Sequence, residues 1–575
     1  MGPGKCRARR APQKNLALIS LPDLSCKSKP GAVIARNSDH KMIEDPRTEQ
    51  DLASVLGRRA AQIPDTPWIV TDDRSYTFHE IDRSSSRLAS GFSGLDITAG
   101  DTVLVMLPDT VDFIRVWCAL SKLGAIEVPV NVHYKGNLLA YLVNDSLARH
   151  LVIDARFLDR FERLAPDLQH LKRLIVRDGN LAEVPEALAE KFEIVDFQTL
   201  EHDKAWSGAG PVYRDLMAVM YTSGTTGPSK GATVCHAHAY EYAFGVTEML
   251  ALDAGDVYYA PLPLFHLAGQ FAVVYASCIA GATAVICGGF SAQRYWQDIA
   301  RFEANCSFLL GAMANFLYQQ PRTATDQANP LERVLMVPLI PEVEDFKQRF
   351  DCRVSTTWGG TEMNCPMRSG FDLVDNKSCG RVAEDRYEVR IVDENDAEVP
   401  HGVPGEALVR TREPWIMSNG YWNHPEWTEK AFRNLWYHTG DMLMRDAEGN
   451  FYFVDRTKDA IRRRGENISS MEVENEINAS TDIVECAVIP VASTHTEQDV
   501  MAVVVARDPS TFDPATLIEF LVPRLPYFMV PRYIEQVDAL PKTPTGKIQK
   551  YPLRDRGLSG NTWDREAAGL KIRRC

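Results

Sequence analysis

Between Tyr221 and Gly231 the chain reads Tyr-Thr-Ser-Gly-Thr-Thr-Gly-Pro-Ser-Lys-Gly; six of these eleven residues are Thr, Ser or Lys and three are Gly. Hydroxyls, one ammonium and backbone N–H groups left open by glycine are what a polyphosphate needs from a protein. The apolar run 216–221 before it predicts a buried strand, and the apolar spacing from about His236 to Met249 predicts a helix after it. Strand, glycine-rich loop and helix is a context in which a helix start can hold phosphate. The loop is not a Walker A loop, because the spacing of Gly224 and Lys230 does not fit G-x-x-x-x-G-K-[ST]. A plain polar surface loop would have the same composition. The weight therefore falls on what accompanies it.

Four further motifs follow in order. The first is Thr357-Trp-Gly-Gly-Thr-Glu362, after a predicted strand at 353–356. The second is Tyr437-His-Thr-Gly-Asp441. The third runs Asp455-Arg-Thr-Lys-Asp-Ala-Ile-Arg-Arg-Arg-Gly-Glu-Asn-Ile468 and ends in Glu472-Val-Glu474. The fourth is Pro541-Lys-Thr-Pro-Thr-Gly-Lys547. Each alone has a plain structural explanation: a turn at Thr-Gly-Asp, a helix-start carboxylate at Glu362, a solvated face at Arg462–Arg464, a surface lysine at 547. Together, in this order, they resemble the acyl-adenylate-forming superfamily of acyl-CoA synthetases, luciferases and peptide-synthetase adenylation domains. The resemblance covers roughly residues 45–555. Asp-Arg-Thr-Lys-Asp with Arg-Gly-Glu-Asn-Ile, and the Trp-Gly-x-Thr-Glu form, look closest to the acyl-CoA ligase branch, with its carnitine/crotonobetaine-CoA ligase-like members.

The resemblance implies ATP, Mg²⁺ and CoA, and an ATP-dependent carboxylate–CoA ligase that forms an acyl-adenylate and releases AMP and pyrophosphate. The alternative it leaves is a stand-alone adenylating enzyme that loads a carrier-protein thiol. By the resemblance, Thr222, Ser223, Gly224, Thr225, Thr226, Gly227 and Lys230 hold the β- and γ-phosphates. Thr357, Trp358, Gly359 and Gly360 belong to the ATP site, and Thr361 contacts the α-phosphate. Glu362 ligates Mg²⁺, a hard ion suited to one carboxylate plus phosphate oxygens. Asp441 takes the ribose hydroxyls, with Arg456 beside it. Lys547 bridges carboxylate, α-phosphate and ribose, and counts as catalytic with Thr225, Lys230 and Glu362. Lys458 matches the hinge of a rotating small domain. Gly465 matches the glycine of the CoA tunnel, where a side chain would block access. His266, in Pro263-Leu-Phe-His266, matches the acyl pocket; Gly311 and Ala312 would line it with small residues, and His236 follows the phosphate loop at the matching position. His236 and His238 lack a third metal ligand. Two departures stand out: the usual Gly-Gly/Ala adenine turn is replaced near Met336-Val-Pro-Leu-Ile-Pro341, and Trp358 stands where many relatives carry Tyr.

These motifs need elements to hold them. Strand signals at 102–107, 126–130, 257–260 and 283–287 alternate with helical spacing at 110–123, 267–280 and 292–304. That rhythm predicts parallel sheets covered on both faces. The expected class is α/β: a large N-terminal domain of two doubly wound sheets plus a small β-barrel-like unit around 387–410, followed by a small mobile α+β C-terminal domain. In the small domain we expect helices at 470–479 and 514–522 and strands at 483–491, 500–506 and 530–534. The expected boundaries are 1–41 for a disordered basic leader, 42–455 for the large domain, 456–458 for the hinge, 459–555 for the small domain and 556–575 for a tail. The leader carries nine Lys/Arg against two acidic residues; a transit peptide, or a true start at Met42, would read the same way.

The net charge of −14 argues against nucleic acid as the main partner. No apolar stretch reaches the ~18–20 residues of a membrane span. The twelve cysteines are scattered without C-x-x-C or metal spacing, which fits reduced thiols in a cytoplasmic protein. The expected partners are a carboxylic acid, aliphatic or aromatic, and CoA, with a homodimer or a carrier protein as macromolecular options.

Overall fold

In a computed structural model, residues 2, 50–201, 203–222, 229–456, 460–463, 466–493, 497–541, 548 and 550–572 are described. Val103, Leu104, Val105 and Met106 are all without solvent exposure, as a strand covered on both faces requires. Their strand, Thr102–Met106, is central to a seven-stranded sheet. From there the chain passes through helix Val111–Leu123, which stops at left-handed Gly124 (φ 70°), into strand Ile126–Pro129 on one side. It then crosses to His150–Asp154 on the other side. All neighbours in this sheet are parallel except the last pair, Leu216–Thr222 with Lys230–Cys235. A second seven-stranded sheet is built the same way around Val257–Tyr259, Thr283–Val285, Cys306–Leu310 and Arg333–Val337.

A third, antiparallel sheet of seven strands runs from Thr357–Gly360 to Tyr387–Val392 in spatial order. It is larger than the unit expected around 387–410. Its strands carry two of the motifs. Helix His236–Leu250 is buried along nearly its whole length and touches strands of all three sheets. Buried Glu241 accepts from Arg368 Nη2 at 2.7 Å and Arg386 Nη1 at 3.0 Å, tying this helix to the antiparallel sheet. The small domain pairs hairpin Ala460–Arg463/Glu466–Ser469 with a four-stranded sheet and helices Ser470–Asn478 and Pro514–Leu521. Contacts group Asp45–Cys575 into one unit.

The helix expected from about His236 forms as His236–Leu250, preceded by strand Lys230–Cys235, which pairs antiparallel with Leu216–Thr222 and sets Thr222 opposite Lys230. Two other expectations change. The helix expected at 267–280 is interrupted by a π-helical stretch, Gln270–Tyr275. The stretch read as a tail adds strand Trp563–Asp564 to the small sheet beside Tyr533–Gln536, fastened by Arg532 Nη2 to Asp564 Oδ2 at 3.1 Å. Among the described residues no helix is long and apolar enough to cross a membrane. The described cysteines, nine in number, are all free thiols. Of the leader, residues 1 and 3–41 lie outside the described residues.

Candidate active site

A cavity of about 690 Å³ opens where the three sheets meet the small domain. On one side stand Thr222 and Lys230, brought face to face by the antiparallel register of their strands. The Lys230 ammonium lies 4.9 Å from the ring centre of Tyr421 and 5.8 Å from that of Trp427, within cation–π range. Trp427 stacks on His424 at 3.5 Å, and His424 Nε2 is 2.7 Å from Asp145 Oδ1. The Tyr221 hydroxyl donates to the other oxygen of Asp145 at 2.6 Å. One carboxylate thus fixes both the strand before the loop and the aromatic bracket around its lysine. Ser223, Gly224, Thr225, Thr226 and Gly227 lie outside the described residues.

The second wall is the hairpin of Thr357–Gly360 and Asn364–Arg368. Thr357, Gly359, Gly360, Thr361 and Glu362 line the cavity. Gly359 passes so near its partner strand that a Cβ would sit 1.9 Å from the Asn364 carbonyl oxygen. Asn364 takes a left-handed φ of 62° and donates to the Ile416 carbonyl at 2.6 Å. Glu362 accepts from the Tyr421 hydroxyl at 2.9 Å, and its carbonyl accepts from Ser418 N at 2.8 Å. Trp358, expected in the ATP site, lies among the core of the antiparallel sheet and not along the cavity. Its indole Nε1 donates to Asp441 Oδ2 at 3.1 Å. Asp441 lines the cavity, and its backbone is in register with that of Arg456 across paired strands Tyr437–Arg445 and Phe451–Arg456.

The third wall is apolar. Tyr242 and Val246 from the central helix meet Phe308, Leu335 and Val337 of the second sheet and Cys365 of the hairpin. None of these six is charged. The nearest acid in sequence, Glu241, is held by Arg368 and Arg386. His266 lines the cavity too; its Nδ1 accepts from Ala268 N at 3.2 Å, capping a helical turn. Its ring is open to the cavity, and desolvation deep in this cleft, then the charge of Arg462, lowers its pKa to about 4. Gly311 and Ala312 are not among the lining residues: Leu310 is, while a Cβ on Gly311 would come 2.9 Å from the Pro338 carbonyl oxygen. The small residue there lets the segment 337–338 pass close by. His236 also lies away from the lining, fully buried, with both ring nitrogens lacking a hydrogen-bond partner and its pKa lowered by burial to about 3.

The fourth wall belongs to the small domain: Arg462, Glu466, Glu472, Phe528 and Met529. Glu472 accepts from the Ser229 hydroxyl at 2.5 Å. Tyr527 and Phe528 set their rings edge-on to His133 of the large domain at 5.2 and 6.3 Å. Burial raises Glu466 and Glu472 alike to about 7. No sequence signal pointed to the Ser229–Glu472 contact or to the Tyr421 and Trp427 bracket. The Arg456 side chain, Lys458, Gly465 and Lys547 lie outside the described residues. Among the described residues no cluster of three or more His, Cys, Asp or Glu could hold a metal by itself. A cation at Glu362 would take its other ligands from a bound phosphate and water, as Mg²⁺ does.

The model of the AMP-binding enzyme family matches residues 56–422, and that of the AMP-binding enzyme C-terminal domain matches residues 472–547. A crotonobetaine/carnitine–CoA ligase of Escherichia coli is 30% identical over 514 residues, covering 88% of this chain and 97% of that protein. Among solved structures, an o-succinylbenzoate CoA synthetase of Bacillus subtilis superposes with a TM-score of 0.75 at 22% identity, over 88% of this chain and 98% of the other. An amide bond synthetase of Marinactinospora thermotolerans does so with a TM-score of 0.75 at 22% identity, over 87% and 99%. At that identity both likenesses speak for the fold.

Proposed function

This chain belongs to the AMP-binding enzyme family, and from that premise we propose that it is an ATP-dependent carboxylate–CoA ligase working through an acyl-adenylate. One observation carries the reading. Thr222, Lys230, Glu362 and Asp441 surround the same cavity as an uncharged apolar wall, and a strip of the small domain closes it. A nucleotide, an acyl group and a thiol arriving along the small domain would meet there. CoA is favoured over a carrier protein as acceptor because the curated relatives are CoA ligases.

In the first half-reaction a carboxylate oxygen attacks the α-phosphorus, and the bond to the β-phosphate oxygen breaks. The partners are anions, so the site must supply positive charge where charge develops. Lys230 and the loop hydroxyls hold the β- and γ-phosphates, Thr361 the α-phosphate, Asp441 the ribose, and Lys547 the carboxylate and α-phosphate. Trp358 acts from behind, fixing the Asp441 carboxylate. Glu362 would hold Mg²⁺ together with phosphate oxygens, and the ion would supply positive charge for the leaving pyrophosphate. In the second half-reaction the CoA sulfur attacks the acyl carbon and AMP leaves. The two halves need different faces of the small domain, Lys547 in the first and the strip around Gly465 in the second, turning about Lys458. Arg462 and Glu472 face the cavity here, the arrangement suited to the second.

The acid is an aliphatic or aromatic one with no charge besides its carboxylate. A trimethylammonium acid needs a cage of several aromatic rings or a carboxylate beside the cation. The apolar wall offers the rings of Tyr242 and Phe308 and no carboxylate. Buried free thiols fit a cytoplasmic setting. The test is pyrophosphate release across a panel of acids, with and without CoA, with Lys547→Ala as control. Acid-dependent turnover that yields a CoA thioester, with crotonobetaine a poor substrate, is the expected outcome. Release stalled near one equivalent despite CoA would favour a carrier protein, and no release with any acid would overturn the ligase.

A further inference from the structure

We propose that Glu472 is an interlock: by seating the small domain on Ser229 of the phosphate hairpin, it admits CoA to the acyl-adenylate only after pyrophosphate has left. The inference rests on the ligase reading above and assigns Glu472 a positioning role within it. The contact joins residues 243 apart in sequence, with Ser229 and Glu472 only 3% and 2% exposed. Ser229 immediately precedes Lys230, the cation assigned to the β- and γ-phosphates. Tyr134 of the large domain also hydrogen-bonds Ser229.

A carboxyl group seated on Ser229 and a polyphosphate on Lys230, the next residue, crowd the same end of the hairpin. They also repel each other where little water screens them. Two arrangements of the hairpin therefore exclude one another: pyrophosphate held with Glu472 withdrawn, or Glu472 on Ser229 with the phosphate site vacated. Arg462 and Glu466 line the cavity from the hairpin just before Glu472. Seating Glu472 thus brings in the same surface that the thiol step requires. The order of steps follows, since CoA cannot reach a completed site while pyrophosphate would still be present to reverse the first step.

The test is the coupling between two ligands. The enzyme is loaded with an acyl-sulfamoyl adenosine, a stable stand-in for acyl-AMP, made from an acid that turns over. CoA affinity is then measured by calorimetry without and with saturating pyrophosphate. In the wild type pyrophosphate should weaken CoA binding by about tenfold, within the usual range of a coupling between sites. In Glu472→Ala the weakening should shrink to about twofold or less. Glu472→Gln keeps size and hydrogen bond but loses the negative charge, and should fall between the two. A merely structural residue would shift CoA affinity without changing its response to pyrophosphate. An equal response in wild type and both variants, or none in the wild type, would overturn the interlock. Failure of the ligase reading looks different: a wild type with no acid-dependent pyrophosphate release and no CoA binding to the loaded enzyme.

Discussion

Trp358 illustrates how a residue can belong to a motif and still act from outside the cavity. Its type and place could be read from the sequence, and it was expected within the ATP site. The side chain instead packs into the antiparallel sheet and sends its one polar atom, the indole N–H, to Asp441. A buried hydrogen bond to a charged acceptor is worth about 1.5–3 kcal/mol. Trp358→Phe keeps the ring and loses the donor, so KM for ATP should rise about tenfold with kcat less affected. Steady-state kinetics at saturating acid and CoA would decide, and an unchanged KM would remove Trp358 from ribose recognition. The motifs make Lys230, Glu362 and Asp441 legible because each is a polar residue among glycines at a recognisable spacing. Tyr421, Trp427 and Ser229 were not legible as a group. Their partners are 190 residues or more away in sequence, and no local pattern encodes such contacts.

At the scale of elements, long buried strands and amphipathic helices were readable because their apolar periods are long enough to count. Helix Val111–Leu123 with its glycine stop is the clearest instance. Strand Lys230–Cys235 was missed because Gly231, Ala232 and Thr233 give a weak alternation. The π-helical stretch Gln270–Tyr275 hides inside a run that is apolar on every side, and Trp563–Asp564 is too short to carry a period. The hairpin carrying Thr361 and Glu362 depends on the bare backbone of Gly359, whose neighbour is a main-chain carbonyl that cannot rotate aside. Gly359→Ala should cost about 1–3 kcal/mol by overpacking. It should also lower adenylation, with Glu362 pushed from its bond to Tyr421. Thermal melting together with pyrophosphate release checks this; full activity at unchanged melting temperature would show that the hairpin yields without harm.

Across the whole molecule, the small domain sets two carboxyl groups into the cavity wall, Glu472 buried and Glu466 partly so, and the proposed hinge motion would return both to water. Tyr134 and Ser229, together with Tyr141, face Glu472 from the large domain, and Arg462 shares the wall with Glu466. Both acids rise from an ordinary 4.5 to about 7 on burial. Below about pH 4.5 they are neutral in either state and cost closure nothing. As the pH climbs from there to about 7 the open state loses protons that the closed state keeps, so closure weakens; above about 7 both states are ionised and the loss levels off. CoA affinity of the adenylate-loaded enzyme should therefore fall by about tenfold or more across that window and then flatten. Glu472→Gln should remove part of the slope. A profile without slope in the wild type would mean that the carboxyls stay hydrated in the closed state.

The bracket around Lys230 has a consequence of another kind. An ammonium held against an indole perturbs its excited state, and Trp427 carries a second perturbation from the His424 ring stacked 3.5 Å away. When a nucleotide draws the lysine toward its phosphates, the indole loses that neighbour. The enzyme thus contains its own optical gauge of phosphate occupancy. The wild-type minus Trp427→Phe difference in tryptophan emission should change as ATP is added and return as pyrophosphate departs, without any attached dye.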